Sequence, residues 1–429
     1  MDTRTPARPR SFAASALLAA ALAAAPFPAL AASPEQVAAA ALRAAPVWDG
    51  HNDVPEQLRD RRQDVLAGFD FRDTTGTADP ARGRIAMHTD LSRLRQGRVG
   101  AQFWSVYVPA TLTDQQAVQA VLEQIDVTRR LIAAYPRDLQ FAQSAADVEA
   151  ARKAGRIASL LGMEGGYAIA GSAGVLRQFR ALGVRYMTLT HFRSTGWADS
   201  ATDAPRNNGL SEAGKALVRE MQRIGMLVDL SHVSTKTMRD ALDVARAPVI
   251  FSHSGARALD DHARNVPDDV LARLRDNGGI VMIVSLPAYV SQKARDWQLA
   301  RAAEKASAEA RWSEAPDEAK ARLAAWERAN PAPRATLSEL ADHVDHAVKV
   351  AGIDHVGLGG DFDGMAEATQ GFDDVAHYPA LFTELARRGY SQADLEKIAS
   401  RNMLRVLKAA DAYAEAHRAD PPLETPTGF

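Results

Sequence analysis

From residue 47 onward, short apolar runs alternate with longer stretches in which apolar residues recur at helical spacing. The runs are Val47–Gly50, Gly100–Val108, Ile157–Gly162, Val184–Thr190, Met226–Ser231, Pro248–Ser252, Gly279–Ser285 and His355–Gly360. Helical periodicity covers Asp114–Ala134, Val175–Leu182, Ser211–Ile224, Thr235–Ala245, Asp268–Asp276 and Leu337–Val350. Near-continuous apolar strands, most followed by a helix, belong to parallel sheets covered on both faces. The pattern therefore predicts an α/β fold, a (β/α)8 TIM barrel. A doubly wound open sheet is the alternative, but no Gly-x-Gly-x-x-Gly follows the first run, which argues against a dinucleotide fold.

Three stretches fall outside that rhythm. Arg59–Arg84 is polar and rich in Gly and Arg, and reads as a long loop. Residues 292–335 are dense in Ala, Glu, Lys and Arg, with Trp297, Trp312 and Trp326 spaced along them. They read as a helical insertion between the seventh strand and its return helix: a lid, a dimer contact or a solvated decoration. Residues 410–429 read as a trailing helix and a loose, Pro-rich tail without a hydrophobic anchor signal.

The N-terminus has the composition of an export signal. Arg4, Arg8 and Arg10 precede an apolar stretch, Ala13 to Ala25, and Ala29-Leu30-Ala31 is a small-x-small cleavage site. The stretch is too short to span a bilayer as a helix, and Arg8-Pro9-Arg10 supplies no twin-arginine pair. The expected organisation is a signal peptide over 1–31, a barrel domain over 32–409 carrying the 292–335 insertion, and a C-terminal tail over 410–429. The expected location is exported and soluble, periplasmic or secreted, with no membrane anchor.

Composition narrows the chemistry. With 46% hydrophobic and 24% charged residues, the 429-residue chain has material for a large core. It contains no cysteine, so thiolate ligands, a cysteine nucleophile and any disulfide, including one joining a homodimer, are excluded. A net charge of −2 offers no basic field for nucleic acid.

In a parallel barrel the loops after the strand C-termini build the active face. Here His51 and Asp53 follow the first strand, Glu164 the third, His191 the fourth, His232 the fifth, His253 the sixth and Asp361 the eighth. Any one of these would more often be an ordinary core or surface residue. Ligating side chains after six strands point instead to a divalent metal.

The segments WDGHND (48–53), GMEGG (162–166), LTH (189–191), DLSH (229–232), FSHS (251–254), ARN (263–265) and GGDFDG (359–364) occur in that order. In these the chain resembles the membrane (renal) dipeptidase family, binuclear zinc peptidases on a barrel of the metallo-dependent hydrolase type. The likeness runs from about residue 46 to 405. It implies two zinc ions per chain, one on His51 and Asp53, the other on His232 and His253, with Glu164 bridging them. It also implies hydrolysis of small dipeptides by a metal-bridging hydroxide, C-terminal D-residues included. His191 would contact the scissile carbonyl, Asp361 would handle the proton, and Arg264 would pair with the substrate's carboxylate. A shared carboxylate is what two cations about 3.5–4 Å apart need to offset their repulsion.

Two other readings keep part of this site. One is another binuclear amidohydrolase, of lactonase or deaminase type; many of these bridge their metals through a carboxylated lysine after strand four, and Val184–His191 contains no lysine. The other is a periplasmic peptide-binding protein without turnover, which the complete ligand set disfavours. His343 and His346 lie on one helix face and read as packing or a salt-bridged face, Asp363 as loop-shaping. Trp104 and Tyr107 could line the pocket or the core, and Asp199 could meet a substrate amino group.

Overall fold

The computed structural model describes residues 1–7 and 32–424. Most of the expected export signal, residues 8–31, and the last five residues of the expected tail lie outside the described residues. An N-terminal unit, Met1–Ser33, has no helix or strand among its described residues. The rest, from Pro34, forms a second unit.

Among its described residues that unit holds nine parallel strands: β1 (Val47–Asn52), β2 (Val99–Tyr107), β3 (Leu139–Phe141), β4 (Ile157–Glu164), β5 (Val184–Thr188), β6 (Leu227–Asp229), β7 (Ile250–Ser254), β8 (Ile280–Ile283) and β9 (Val356–Leu358). The sheet order β2-β1-β9-β8-β7-β6-β5-β4 closes through a β2–β4 pairing, giving an eight-stranded (β/α)8 barrel. The strands read from the apolar runs are all present, with ends displaced by no more than two residues. The extra strand, β3, pairs with only the start of β4, Leu139 lying opposite Ile157. Three residues are too few to display a period, so β3 is silent in the sequence.

Burial explains why the runs are apolar throughout. Every residue of β1, β4, β5, β6, β7, β8 and β9 is buried, because the barrel interior takes one face and the helices cover the other. Trp48, Phe103, Leu160, Tyr186, Leu227, Ile250, Ile280 and Met282 belong to one buried cluster, which also takes in Met403, Val406 and Leu407 of the helix Asn402–Ala416. Arg405 of that helix donates to the carbonyl of Gly278, just before β8, so the helix caps the N-terminal end of the barrel. The opposite end is left open for chemistry.

Helix starts follow their caps. Thr113 accepts from the backbone of Gln116, Ser211 from Gly214, Ser234 from Thr237 and Thr336 from Glu339. The Arg59–Arg84 loop begins later than its composition suggested, since a helix, Val54–Arg62, occupies its start. Only Val54, Pro55 and Leu58 of that helix are buried, too narrow a stripe to show as periodicity. Asn402–Ala416 runs across position 410, where Ala410 is in the core and Asp411 pairs with buried Arg185.

The insertion is a pair of helices, Gln292–Arg311 and Pro316–Ala329. Trp297 and Trp326 meet at 5.9 Å between ring centres, and Arg301 pairs with Glu327 at 2.6 Å. Among the described residues, no helix is long and apolar enough to cross a membrane.

Candidate metal centre

His51 ends the apolar part of β1, and Asp53 follows the strand at the start of the next helix. Glu164 is the last residue of β4; His191 and His232 each lie three residues beyond a strand, and His253 is within β7. Residues separated by three hundred positions thus arrive at one rim. Two of them have left-handed backbone, His232 at φ 66° and Asp361 at φ 62°, conformations that His and Asp adopt more readily than most residues. Such strain is held at a site by the structure around it.

Glu164 stands at the middle. Its Oε2 is 3.4 Å from Nε2 of His51, while its Oε1 is 2.9 Å from Nε2 of His232 and 3.3 Å from Nε2 of His253. His51 Nε2 is in turn 3.3 Å from Asp53 Oδ2 and 4.0 Å from Asp361 Oδ1. Three overlapping triads can each surround a cation: His51, Asp53 and Glu164; Glu164, His232 and His253; His51, His253 and Asp361. All these residues are buried.

The donor set fits a metal on its own terms. Buried Nε2 of His51 and Oδ1 of Asp53 have no hydrogen-bond partner. Nε2 of His232 and of His253 face each other at 3.1 Å, an arrangement that a cation between or beside two lone pairs satisfies better than a shared proton. Burial, with Arg264 and neighbouring imidazoles adding to it, pushes His232 and His253 well below the usual imidazole range, which leaves both neutral and able to ligate. Burial opposes ionisation of Glu164, yet His51, His191 and His232 outweigh it and keep the carboxyl well below its ordinary value. Further contacts orient these candidate ligands. His253 Nδ1 is 2.8 Å from Ser252 Oγ, which donates to Asp229 at 2.6 Å.

Three further predicted residues border this cluster. His191 Nε2 is 3.8 Å from Glu164 Oε1, and burial lowers its pKa to about 4, so the ring is neutral near pH 7. Asp361 is pushed well above the carboxylate range by burial, with Asp53 and Glu164 adding to the shift. Arg264 is buried at the His253 side, donating to the His253 carbonyl at 3.3 Å and lying over the Tyr289 ring at 5.2 Å.

Other polar residues have structural duties. His343 accepts from the Ala256 amide at 2.9 Å and bonds the Val290 carbonyl at 3.0 Å, tying two rim loops together. Asp363 accepts from the His88 amide, and Asp199 accepts the amides of Arg206, Asn207 and Gly209. Trp104 is in the core against Phe71, whereas the Tyr107 ring is 4.6 Å from His191. Tyr186, Tyr289 and half-exposed Phe192, whose ring is 4.0 Å from His191, were missed from the sequence. No motif marks an aromatic residue as a site neighbour; only the folded chain does.

A closed parallel barrel with clustered His, Asp and Glu at its C-terminal rim defines a metallo-dependent hydrolase. The chain belongs to the membrane dipeptidase family, peptidase family M19, whose model matches residues 35–421. It is a metallo-dipeptidase, a hydrolase acting on dipeptides. It is 39% identical to an uncharacterized dipeptidase of Schizosaccharomyces pombe, the match covering 92% of this chain and 88% of that one. It is 38% identical to dipeptidase 3 of Macaca fascicularis over 90% of this chain and 70% of the other. In fold it is similar to the crystal structure of the probable dipeptidase PvdM from Pseudomonas aeruginosa, with a TM-score of 0.74, 24% identity, and coverage of 89% and 99%.

Proposed function

We propose that this is an exported zinc dipeptidase with two metal ions per chain. His51 and Asp53 would hold one ion and His232 and His253 the other, with Glu164 giving one oxygen to each. The observation that carries this reading is the division of the Glu164 carboxylate, Oε2 toward His51 and Oε1 toward His232 and His253. Zinc suits the set because neutral imidazoles and carboxylates are its common ligands in hydrolases. Bound there, the metal pair acidifies a water to a pKa of about 7 and polarises the scissile carbonyl.

The chain's own groups do the rest. Arg264 pairs its guanidinium fork with the substrate's terminal carboxylate, which selects a dipeptide over a longer chain. Neutral His191 donates to the carbonyl oxygen as negative charge develops on it. Asp361 acts in its carboxylate form, which burial makes more basic: it accepts the proton of the attacking water and passes it to the leaving amine. The carbon–nitrogen bond breaks and two amino acids leave. Because Arg264 reads the carboxylate and not the side chain, a D-residue at the C-terminal position is compatible with that contact. Export rests on the basic, apolar and small-x-small order of residues 1–31.

Glu164→Gln tests the reading. The variant should retain fewer than two zinc ions and release far less free amino acid from L,L- and L,D-dipeptides. Full activity with two bound zincs would overturn it.

A further inference from the structure

A cavity of about 820 Å³ lies between the helical insertion and the active rim, with Leu286, Pro287, Trp297, Arg301, Gly364 and Met365 among its lining residues. It meets the metal centre through Gly364: a Cβ there would stand 2.3 Å from Asp53 Oδ2 and 2.9 Å from Asp361 Oδ1. Its lining residues Leu286 and Pro287 are followed along the chain by Tyr289, whose ring centre is 5.2 Å from the Arg264 guanidinium. The insertion is fastened to the same loop. The Asp261 amide donates to Gln292 at 2.9 Å, Asn265 donates to the Tyr289 carbonyl at 2.9 Å, and Arg295 reaches buried Asp260 at 3.8 Å.

We propose that this cavity receives the side chain of the substrate's C-terminal residue, and that the insertion thereby selects dipeptides ending in a large apolar or aromatic residue. The inference rests on the dipeptidase reading and on Arg264 holding the terminal carboxylate. A carboxylate on Arg264 would lie near Tyr289, and the Leu286–Pro287 part of the cavity wall is two residues from Tyr289 along the chain. The far wall is fixed in place. Trp297 donates from Nε1 to the Asn330 carbonyl at 2.7 Å, and Arg301 lies 6.0 Å from the Trp297 ring centre. The charge of Arg301 is matched by Glu327, so the wall offers the Trp297 ring and the Leu286, Pro287 and Met365 side chains beside a paired cation, with Gln298 and Glu367 as its other polar members. Such a surface rewards apolar bulk.

The test compares zinc-loaded wild type, Trp297→Ala and Gln298→Trp on Ala-Phe, Phe-Ala and Ala-Ala. Gln298 is an exposed residue of the same wall, so its replacement fills the cavity with little risk to folding. Both variants should lower the Ala-Phe to Ala-Ala ratio of kcat/KM about tenfold, the usual scale for losing or blocking an apolar pocket. The Phe-Ala to Ala-Ala ratio should hold. Trp297→Phe should restore most of the Ala-Phe preference. An unchanged Ala-Phe ratio in Gln298→Trp, or a fall in the Phe-Ala ratio instead, overturns the assignment while leaving the dipeptidase reading intact. A zinc-loaded wild type inert toward all three substrates would sink both.

Discussion

The hydroxyl of Tyr186 stands 2.8 Å from Nδ1 of His51 in the barrel interior. Burial pushes the phenol's pKa up, so it remains protonated across the working pH range. For Nε2 of His51 to offer a lone pair to a metal, Nδ1 must carry the ring proton and donate it to the phenolic oxygen. The Tyr186 ring has room because residue 162 is glycine: a Cβ at Gly162 would lie 2.0 Å from the ring carbon that bears the hydroxyl. A glycine in one strand and a tyrosine in the next thus set the tautomer of the histidine proposed as a ligand on a third.

Tyr186→Phe keeps the ring and deletes this contact. Zinc affinity should fall about 10–100-fold, the usual cost of losing an outer partner of a metal-binding histidine. Activity measured in limiting zinc should drop and should recover as zinc is added. Unaltered zinc affinity by competition with a chelator would show that the hydroxyl does not orient His51.

Arg264→Ala leaves a substrate carboxylate without its partner in a buried setting. Losing one side of such a pair costs about 2–5 kcal/mol, so kcat/KM for free dipeptides should fall at least about 30-fold. Dipeptide amides, which have no carboxylate, should lose little. Lysine should rescue poorly, because an ammonium cannot present a planar fork. An equal loss on both substrate types would point to a role in holding the rim instead. Undiminished turnover of an uncharged lactone or amide would favour the broader amidohydrolase chemistry.

Asp260 is wholly buried, with the His262 amide and, at 3.8 Å, Arg295 beside its carboxylate. Burial raises its pKa from 3.8 to about 6, with Arg295 pulling the other way. A carboxyl raised in the folded state binds more protons there than when unfolded between those values, so this group lowers stability as pH rises through that window. Well above pH 6 the cost is complete, and solvent screening keeps it to at most about 3 kcal/mol at 1.36 kcal/mol per unit. Asp260→Asn should therefore melt at a higher temperature than wild type at pH 7.5, and the gain should shrink toward zero as pH falls to 4. A constant difference in Tm across that range would assign the effect to packing and not to charge.

The barrel was legible because its strands are buried on both faces and its helices on one, so apolar runs and helical periods stand apart in the chain. β3 and the helix Val54–Arg62 escaped for the opposite reason, one being three residues long and the other burying few of its side chains. That His51, Asp53, Glu164, His191, His232, His253 and Asp361 gather at one rim could be read in advance because a parallel barrel exposes the residues after its strands at one end. The places of Tyr186, Tyr289 and Trp297 could not.

Strand order along the chain, the polar residues after six of the eight expected strands and the absence of cysteine are properties of the sequence alone, and they restricted the chemistry to a rim of oxygen and nitrogen donors. Tertiary structure decided which oxygen of Glu164 faces which histidines, which ring nitrogen of His51 is tied back, and which loop the insertion grips. Those outcomes depend on distances of a few ångströms between residues far apart in the chain, and spacing along a polymer does not encode them until the barrel closes.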